Sequence, residues 1–185
     1  MTILLVRHAQ PVESSRAGHE ENDRPLSQMG RRQAERLADE LADAGVEAIY
    51  SSPHRRAVET LAPLAQRLSL EISIVDDLRE RTLSPDPLPD WRDQLRRAWQ
   101  DFSFRLPGGE SSAQAQERVR RVLAELSHRH PDQTVAVASH GNLIALALHA
   151  LASDVVGFAF WAQIPMPAVY RVPPDGAPLG PGFDA

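Results

Sequence analysis

Two histidines that are far apart in the sequence each lie shortly after an apolar run. Arg7 and His8 follow residues 2–6, and His140 closely follows residues 134–138. Runs rich in aliphatic and β-branched residues predict buried strands, and open α/β sheets bind ligands beyond the carboxyl ends of their strands. An arginine offers a rigid fork of donors that fits phosphate, and a histidine can act as base, ligand or nucleophile. The spacing therefore predicts a site for an anionic substrate.

Two more charged segments follow predicted strands in the same way. Residues 51–57 follow a strand at 46–50, and residues 78–81 come soon after a strand at 70–75. If the sheet is parallel, all four loops leave it at one edge and can converge. Together they supply two histidines, at least two arginines and one carboxylate, without the ligand spacing of a metal centre. This set suits a small tetrahedral anion, with arginines on its oxygens and an imidazole positioned to attack phosphorus.

Strands and helices alternate along the chain, which predicts a parallel sheet covered on both faces. We expect an α/β fold, a three-layer α/β/α sandwich with a mostly parallel central sheet. Residues 1–172 are predicted to form a single domain, and the proline- and glycine-rich residues 173–185 a flexible tail. Besides the strands above, the pattern predicts strands at 158–162 and 168–172. It predicts helices at 27–44 (capped by Ser27), 54–68, 91–102, 110–129 and 142–151.

Composition excludes several function classes. The 185 residues carry a net charge of -5, so no global basic field attracts nucleic acid or an anionic membrane. Cysteine is absent, which excludes disulfides, thiolate metal sites and cysteine nucleophiles. All 20 basic residues are arginine, which excludes lysine Schiff bases and lysine-containing phosphate loops. The chain begins unlike a signal peptide and has no apolar stretch of about 18 residues, so a cytoplasmic protein is expected.

Several short motifs occur along the chain in a characteristic order, and with them the chain resembles the histidine phosphatase superfamily. That superfamily includes cofactor-dependent phosphoglycerate mutases and many small phosphatases. The resemblance covers nearly the whole chain and implies an enzyme that hydrolyses a small phosphomonoester without a metal or other cofactor. The motifs are Leu5–Ala9, Leu26–Ala34, Tyr50–Thr60, Leu78–Glu80, Pro107–Ser111 and Ser139–Asn142.

The resemblance also assigns roles to individual residues. His8 would be the nucleophile that becomes a phosphohistidine, while Arg7, Arg56 and His140 would hold the phosphoryl oxygens. Glu80 would protonate the leaving oxygen and then activate the water that hydrolyses the phosphoenzyme.

Some of these assignments leave alternatives open. Glu110 competes with Glu80 for the role of acid. Ser14 stands near the place where many relatives carry a phosphate-binding asparagine, and Asn142 is a further candidate phosphate contact. The family pattern places the key arginine directly before an alanine, which selects Arg56. Its neighbours His54 and Arg55 are then expected at the surface.

Three other functions remain open at this stage. A phosphoglycerate mutase would need activation by a bisphosphate and a larger basic lid than residues 81–106 provide. A protein phosphohistidine phosphatase fits the small size, but small enzymes of that type tend to lack the acid. A non-catalytic phosphate-binding module would not need the complete set of site residues. The aromatic residues Trp91, Trp99, Phe102 and Phe104 form either an apolar lid or part of the core, and the substrate and oligomeric state are not predicted.

Overall fold

The computed structural model describes residues 1–13 and 21–172. Two sequence predictions lie outside the described residues: the phosphate contact by Ser14 and the flexible tail at 173–185. No helix in these two ranges is long and apolar enough to cross a membrane.

The described chain forms a sheet of five strands in the order β3-β2-β4-β1-β5. Strand β5 is antiparallel to β1, and the other three pairings are parallel. The predicted α/β fold with a mostly parallel sheet is thus confirmed. The strands are β1 (Thr2–Arg7), β2 (Val46–Ser51), β3 (Ile72–Ile74), β4 (Thr134–Ser139) and β5 (Ala168–Val172).

Helices cover both faces of this sheet, and two of them begin at serine caps. Ser27 accepts a hydrogen bond from the Gly30 N–H at the start of α1, as predicted. Ser111 and Gln114 form a reciprocal capping box at the start of α4. The helices are α1 (Gln28–Leu41), α2 (Arg55–Leu68), α3 (Trp91–Gln100), α4 (Ser112–Arg129), α5 (Gly141–His149) and α6 (Phe158–Gln163).

One predicted strand, at 158–162, is wrong. The alternation of Phe158 and Phe160 with alanines resembles a strand, but the segment forms α6. Phe158 and Trp161 are three residues apart and stack with ring centroids 5.4 Å apart, a spacing that places both side chains on one face of a helix. Partial burial against the main core replaced the expected pairing in the sheet.

The alternating side chains of β1 separate the two halves of the core. Ile3 and Leu5 pack with the cluster that includes α4 and α5, whereas Leu4 and Val6 pack with α1 and α2. Arg7 and His8 continue this alternation beyond the buried strand. The two side chains therefore leave the sheet toward different helical layers.

Strand register aligns the loops that carry the polar motifs. Arg7 pairs with Ser139 at the ends of β1 and β4, and the His8 N–H donates to the Ser139 carbonyl at 3.1 Å. The Ser52 N–H, just after β2, donates to the Ala138 carbonyl at 2.9 Å. The loops that follow β1, β2 and β4 therefore begin side by side, at the edge where parallel sheets bind ligands.

Candidate active site

Three buried side chains meet at this edge, and we call His8, Arg56 and His140 the His–Arg cluster. Their exposed fractions are 6%, 2% and 0%. The Arg56 Nε donates to His8 Nε2 at 3.2 Å, and Arg56 Nη2 lies 3.3 Å from His140 Nδ1. The two imidazole centroids are 5.2 Å apart. The structure thus brings together residues from three separate motifs of the sequence.

The hydrogen bonds of His8 fix the position of its ring proton. His8 Nδ1 lies 2.8 Å from the Ala9 carbonyl oxygen, which can only accept, so the proton is on Nδ1 and Nε2 keeps a lone pair. The pKa of His8 is lowered to about 3, mainly by burial and also by the positive charges of Arg56 and Arg7, against the opposing effect of the Ala9 bond. His8 is therefore a neutral imidazole at neutral pH, with a nitrogen able to act as a nucleophile.

Arg7 lies on the other side of β1, against α5 and the loop after α6. Its Nη1 donates to the carbonyls of Ile164 and Pro165, while its buried Nε has no hydrogen-bond partner among the described residues. A Cβ at Gly141 would lie 3.0 Å from the Arg7 Cζ and Nε atoms, so a glycine here lets the guanidinium lie against the start of α5. Burial lowers the pKa of Arg7, and the negative charge of Glu80 opposes this shift.

Side chains from α1 and α2 hold the backbone that follows His8. The Ala9 N–H donates to Thr60 Oγ1 at 2.9 Å, and the Thr60 hydroxyl donates to the Arg56 carbonyl at 2.7 Å. The Gln10 N–H donates to Gln33 Oε1 at 3.0 Å. The motifs contained Thr60 and Gln33, but nothing in their spacing showed that they bind the loop after β1.

A glycine and a carboxylate complete this support. A Cβ at Gly30 would lie 2.0 Å from the Gln10 carbonyl oxygen, so only glycine lets α1 approach the loop this closely. The Leu26 N–H donates to Glu59 Oε2 at 2.7 Å. Several of the motif residues therefore position the site without belonging to it.

A third histidine lies beside His140, contrary to prediction. His54 is only 7% exposed, and its ring centroid is 4.6 Å from that of His140. Its backbone immediately precedes α2 and turns the ring inward, whereas Arg55 is half exposed and binds Glu59, as expected for a surface residue. Burial, followed by the charges of Arg56, Arg79 and Arg24, lowers the pKa of His54 to about 4.

His140 is held from two sides. Ser52 Oγ lies 2.7 Å from its Nε2, and Arg56 contacts its Nδ1. Complete burial lowers the pKa of His140 well below its ordinary value, and the charges of Arg56 and His8 act in the same direction. His140 is thus neutral in the structure.

The two candidate acids occupy different surroundings. The Glu80 carboxylate is half-buried and caps the start of α5, accepting from the N–H groups of Asn142 and Leu143, both at 3.0 Å. Glu110 instead binds Arg118 through both oxygens, at 2.8 and 2.7 Å. Glu80 therefore binds the start of the helix that directly follows His140, while Glu110 belongs to an ion pair with Arg118.

The remaining predicted residues are placed as follows. The Asn142 side chain is buried, and its Oδ1 has no hydrogen-bond partner in the described ranges.

The aromatic residues lie in different surroundings. Trp99 packs in the core against Phe102, with ring centroids 5.7 Å apart. Trp91 is 47% exposed and meets Trp161 edge-on. Trp99 therefore belongs to the core, whereas Trp91 lies at the surface. Within residues 1–13 and 21–172, no group of three or more histidine, aspartate or glutamate side chains could hold a metal ion.

The profile of the histidine phosphatase superfamily (branch 1) matches residues 3–176. The chain belongs to this superfamily. The resemblance seen in the motifs is therefore confirmed over nearly the whole chain.

Relatives with named activities narrow the reaction class. Phosphoserine phosphatase 1 of Hydrogenobacter thermophilus is 34% identical over 149 residues, which cover 75% of this chain and 70% of the relative. A probable phosphoglycerate mutase of Salmonella paratyphi B is 29% identical, over 88% of this chain and 78% of the relative. The structure of a mycobacterial glucosyl-3-phosphoglycerate phosphatase superposes with a TM-score of 0.75 at 28% identity, over 93% of this chain and 89% of that one. The chain is an enzyme of the phosphoric monoester hydrolase class, as its sequence predicted.

Proposed function

We propose that the protein hydrolyses a small phosphomonoester through a phosphohistidine on His8. One observation carries the proposal: His8 presents the lone pair of Nε2 to a buried guanidinium, with its proton bound to the Ala9 carbonyl on the far side of the ring. A nitrogen nucleophile beside a fixed cation suits attack on the phosphorus of an anionic ester. The proposed reaction uses no metal or other cofactor, since guanidinium groups and histidines balance the phosphoryl charge.

Substrate binding prepares the nucleophile. Arg7, Arg56 and His140 bind the phosphoryl oxygens in this proposal. In the structure, Arg56 Nε occupies the lone pair of His8 Nε2. A bound phosphoryl group competes for the Arg56 donors and so frees that lone pair. Binding of phosphate and exposure of the nucleophile are thus a single event.

The reaction then proceeds in two displacements. His8 Nε2 forms a bond to phosphorus while the bond to the ester oxygen breaks, and Glu80 gives its proton to that oxygen. Water then attacks the phosphohistidine, Glu80 takes the proton of the water, and the P–N bond breaks to release inorganic phosphate. Oε2 is the Glu80 oxygen best suited to this work, since it accepts one hydrogen bond, from Asn142, while Oε1 accepts two.

Two further residues and the substrate class belong to the same proposal. We place the side chains of Asn142 and Ser14 on phosphate oxygens.

Hydrolysis of the phosphoenzyme is favoured over transfer of the phosphoryl group to a second substrate, because residues 81–106 carry few basic side chains before Arg92. The relatives act on phosphoserine and on a glucosyl phosphoglycerate, as their names state, so small phosphorylated hydroxy acids and their derivatives are the first esters to test.

The test is hydrolysis of p-nitrophenyl phosphate between pH 5 and 8 with a chelator present. We expect turnover in the wild type and a fall of about a thousandfold or more in His8→Ala, since loss of a nucleophile removes the covalent path. Circular dichroism shows whether the variant is folded. His128→Ala is the matched control because His128 is exposed at the end of α4, and it should retain the wild-type rate.

The intermediate is detected separately. Rapid quenching into base should trap an acid-labile phosphoryl group on the wild type and none on His8→Ala. Equal rates in wild type and His8→Ala would overturn the proposal. A wild type that interconverts 3-phosphoglycerate and 2-phosphoglycerate only when a bisphosphate is added would identify a mutase instead.

A further inference from the structure

The hydroxyl of Ser52 is part of the support of the site, although the motifs gave it no role. Ser52 and His140 are both 0% exposed, and Ser52 Oγ lies 2.7 Å from His140 Nε2. The same oxygen accepts the His54 N–H at 3.2 Å. Ser52 thus joins the end of β2 to His140, the residue between β4 and α5.

The donors and acceptors around His140 determine which nitrogen carries its proton. Arg56 Nη2 can only donate, so His140 Nδ1, at 3.3 Å, is the unprotonated nitrogen. A neutral imidazole then carries its proton on Nε2, which faces Ser52. The Ser52 oxygen accepts this proton and the His54 N–H with its two lone pairs. The arrangement places neither two donors nor two acceptors against one another.

We propose that Ser52 is a positioning residue that holds the His140 proton on Nε2 and so turns Nδ1 toward Arg56 and the reacting phosphoryl group. This inference rests on the function proposed above. A phosphoryl oxygen is itself an acceptor, so Nδ1 binds it only after taking up one proton from solution. Ser52 continues to accept from Nε2 and keeps the imidazolium in its orientation.

The charges around His140 make this proton uptake depend on the bound anion. Without a bound anion, burial and the positive charges nearby disfavour a second proton on the ring. A phosphate anion reverses that balance, because its charge acts at the position of Nδ1. The charged and titratable groups that act on the ring are Arg7 and His8 from β1 and its end, and His54 and Arg56 from α2 and its cap. Glu80, from the loop before α3, accepts hydrogen bonds from the first turn of α5, the helix that follows the ring.

The chain supplies a matched pair of variants for the test. Ser51 and Ser52 are adjacent and both 0% exposed, but the Ser51 hydroxyl donates to the Ser52 carbonyl at 2.9 Å. Ser51→Ala and Ser52→Ala therefore remove the same atom from the same strand end. Only the second removes the partner of His140.

Ring ¹⁵N chemical shifts of histidine-labelled protein report the tautomer without any turnover. We expect His140 to carry its proton on Nε2 in the wild type and in Ser51→Ala, and to become an imidazolium when inorganic phosphate is added. In Ser52→Ala we expect a mixture of tautomers, and a loss of about tenfold in phosphate affinity and in kcat/KM, the effect of one lost buried hydrogen bond. Ser52→Thr restores the hydroxyl and should recover the shifts and most of the rate.

The outcomes separate this inference from the proposed function. A wild-type His140 with its proton on Nδ1, or identical behaviour of Ser51→Ala and Ser52→Ala, would overturn the role of Ser52. Absence of ester hydrolysis by a wild type that shows the expected tautomer and phosphate response would overturn the proposed function alone.

Discussion

Two clusters in the structure each contain a buried arginine but differ in chemistry. In the His–Arg cluster, Arg56 is 2% exposed. A second group consists of Arg81, Glu110 and Arg118, and we call it the α4 ion-pair cluster. Its Arg118 is 4% exposed. Arg118 binds both oxygens of Glu110. Arg56 contacts the ring nitrogens of two neutral histidines.

The pKa shifts show how the two surroundings differ. At His8, the charges of Arg56, Arg7 and Arg24 all lower the pKa, so the local field is positive. At Arg81, burial lowers the pKa and the negative charges of Glu110 and Glu80 oppose this shift, so the neighbouring charges are opposite in sign to the guanidinium. Burial of an arginine is therefore not in itself a sign of a binding site. The sign of the field around it distinguishes an anion site from a structural ion pair.

The largest contrast is expected between the two buried arginines. Arg56→Gln should lower kcat for p-nitrophenyl phosphate by about a thousandfold, as expected when a donor to the phosphoryl group is lost. Arg118→Gln leaves Glu110 without its cation and should lower the free energy of unfolding by about 3 kcal/mol. Steady-state kinetics and urea denaturation of both variants measure the contrast. If Arg118→Gln loses as much activity per folded molecule as Arg56→Gln, the two clusters do not differ as described.

A smaller contrast is expected between the two carboxylates. Glu80→Gln keeps an acceptor for the N–H groups of α5 but cannot transfer a proton. It should slow an alkyl phosphate by about a hundredfold and an aryl phosphate, whose leaving group needs no acid, far less. Glu110→Gln should treat both esters alike and lose stability instead. Rates for phosphoserine and p-nitrophenyl phosphate in both variants decide the question, and equal losses on the two esters in Glu80→Gln would remove it as the acid.

The smallest effect concerns stability in acid. His54 is buried with its pKa lowered to about 4, so below its ordinary pKa near 6.5 the unfolded chain binds a proton that the folded protein does not. Its contribution to stability is complete above pH 6.5 and is lost as the pH falls toward 4. When the pH falls from 7 to 5, the free energy of unfolding of both proteins should decrease. The decrease should be smaller in His54→Leu than in the wild type, by a difference on the order of 1 kcal/mol. Denaturation at the two pH values measures this, and parallel losses would show that His54 takes up its proton in the folded state.

Much of the fold could be predicted because local patterns and tertiary structure agree. Apolar runs became β1, β2 and β4, and Ser27 caps α1 as expected. The strand predicted at 158–162 failed because aromatic residues pair well in strands and also pack well on one face of a helix. Only contact with the core distinguishes the two.

The site, like the fold, could be predicted where it depends on local patterns and could not where it depends on tertiary contacts. The loops that carry Arg7, His8, Arg56 and His140 could be brought together from the topology of a parallel sheet alone. The burial of His54 could not, since its neighbour Arg55 is exposed and no periodicity separates the two at the start of a helix. Nor could the sequence separate Glu80 from Glu110, because Glu80 binds the start of α5, which is 62 positions away along the chain.

The sequence by itself determined the order of the elements, the family and the residue types at the strand ends, because these depend on local patterns and on short motifs. The tertiary structure alone decided which nitrogen of His8 carries a proton, which carboxylate is held in an ion pair and which serine contacts His140. Hydrogen bonds and fields act over a few ångströms between residues that are far apart in the sequence, as Ser52 and His140 are at 88 positions. Such distances exist only once the chain has folded.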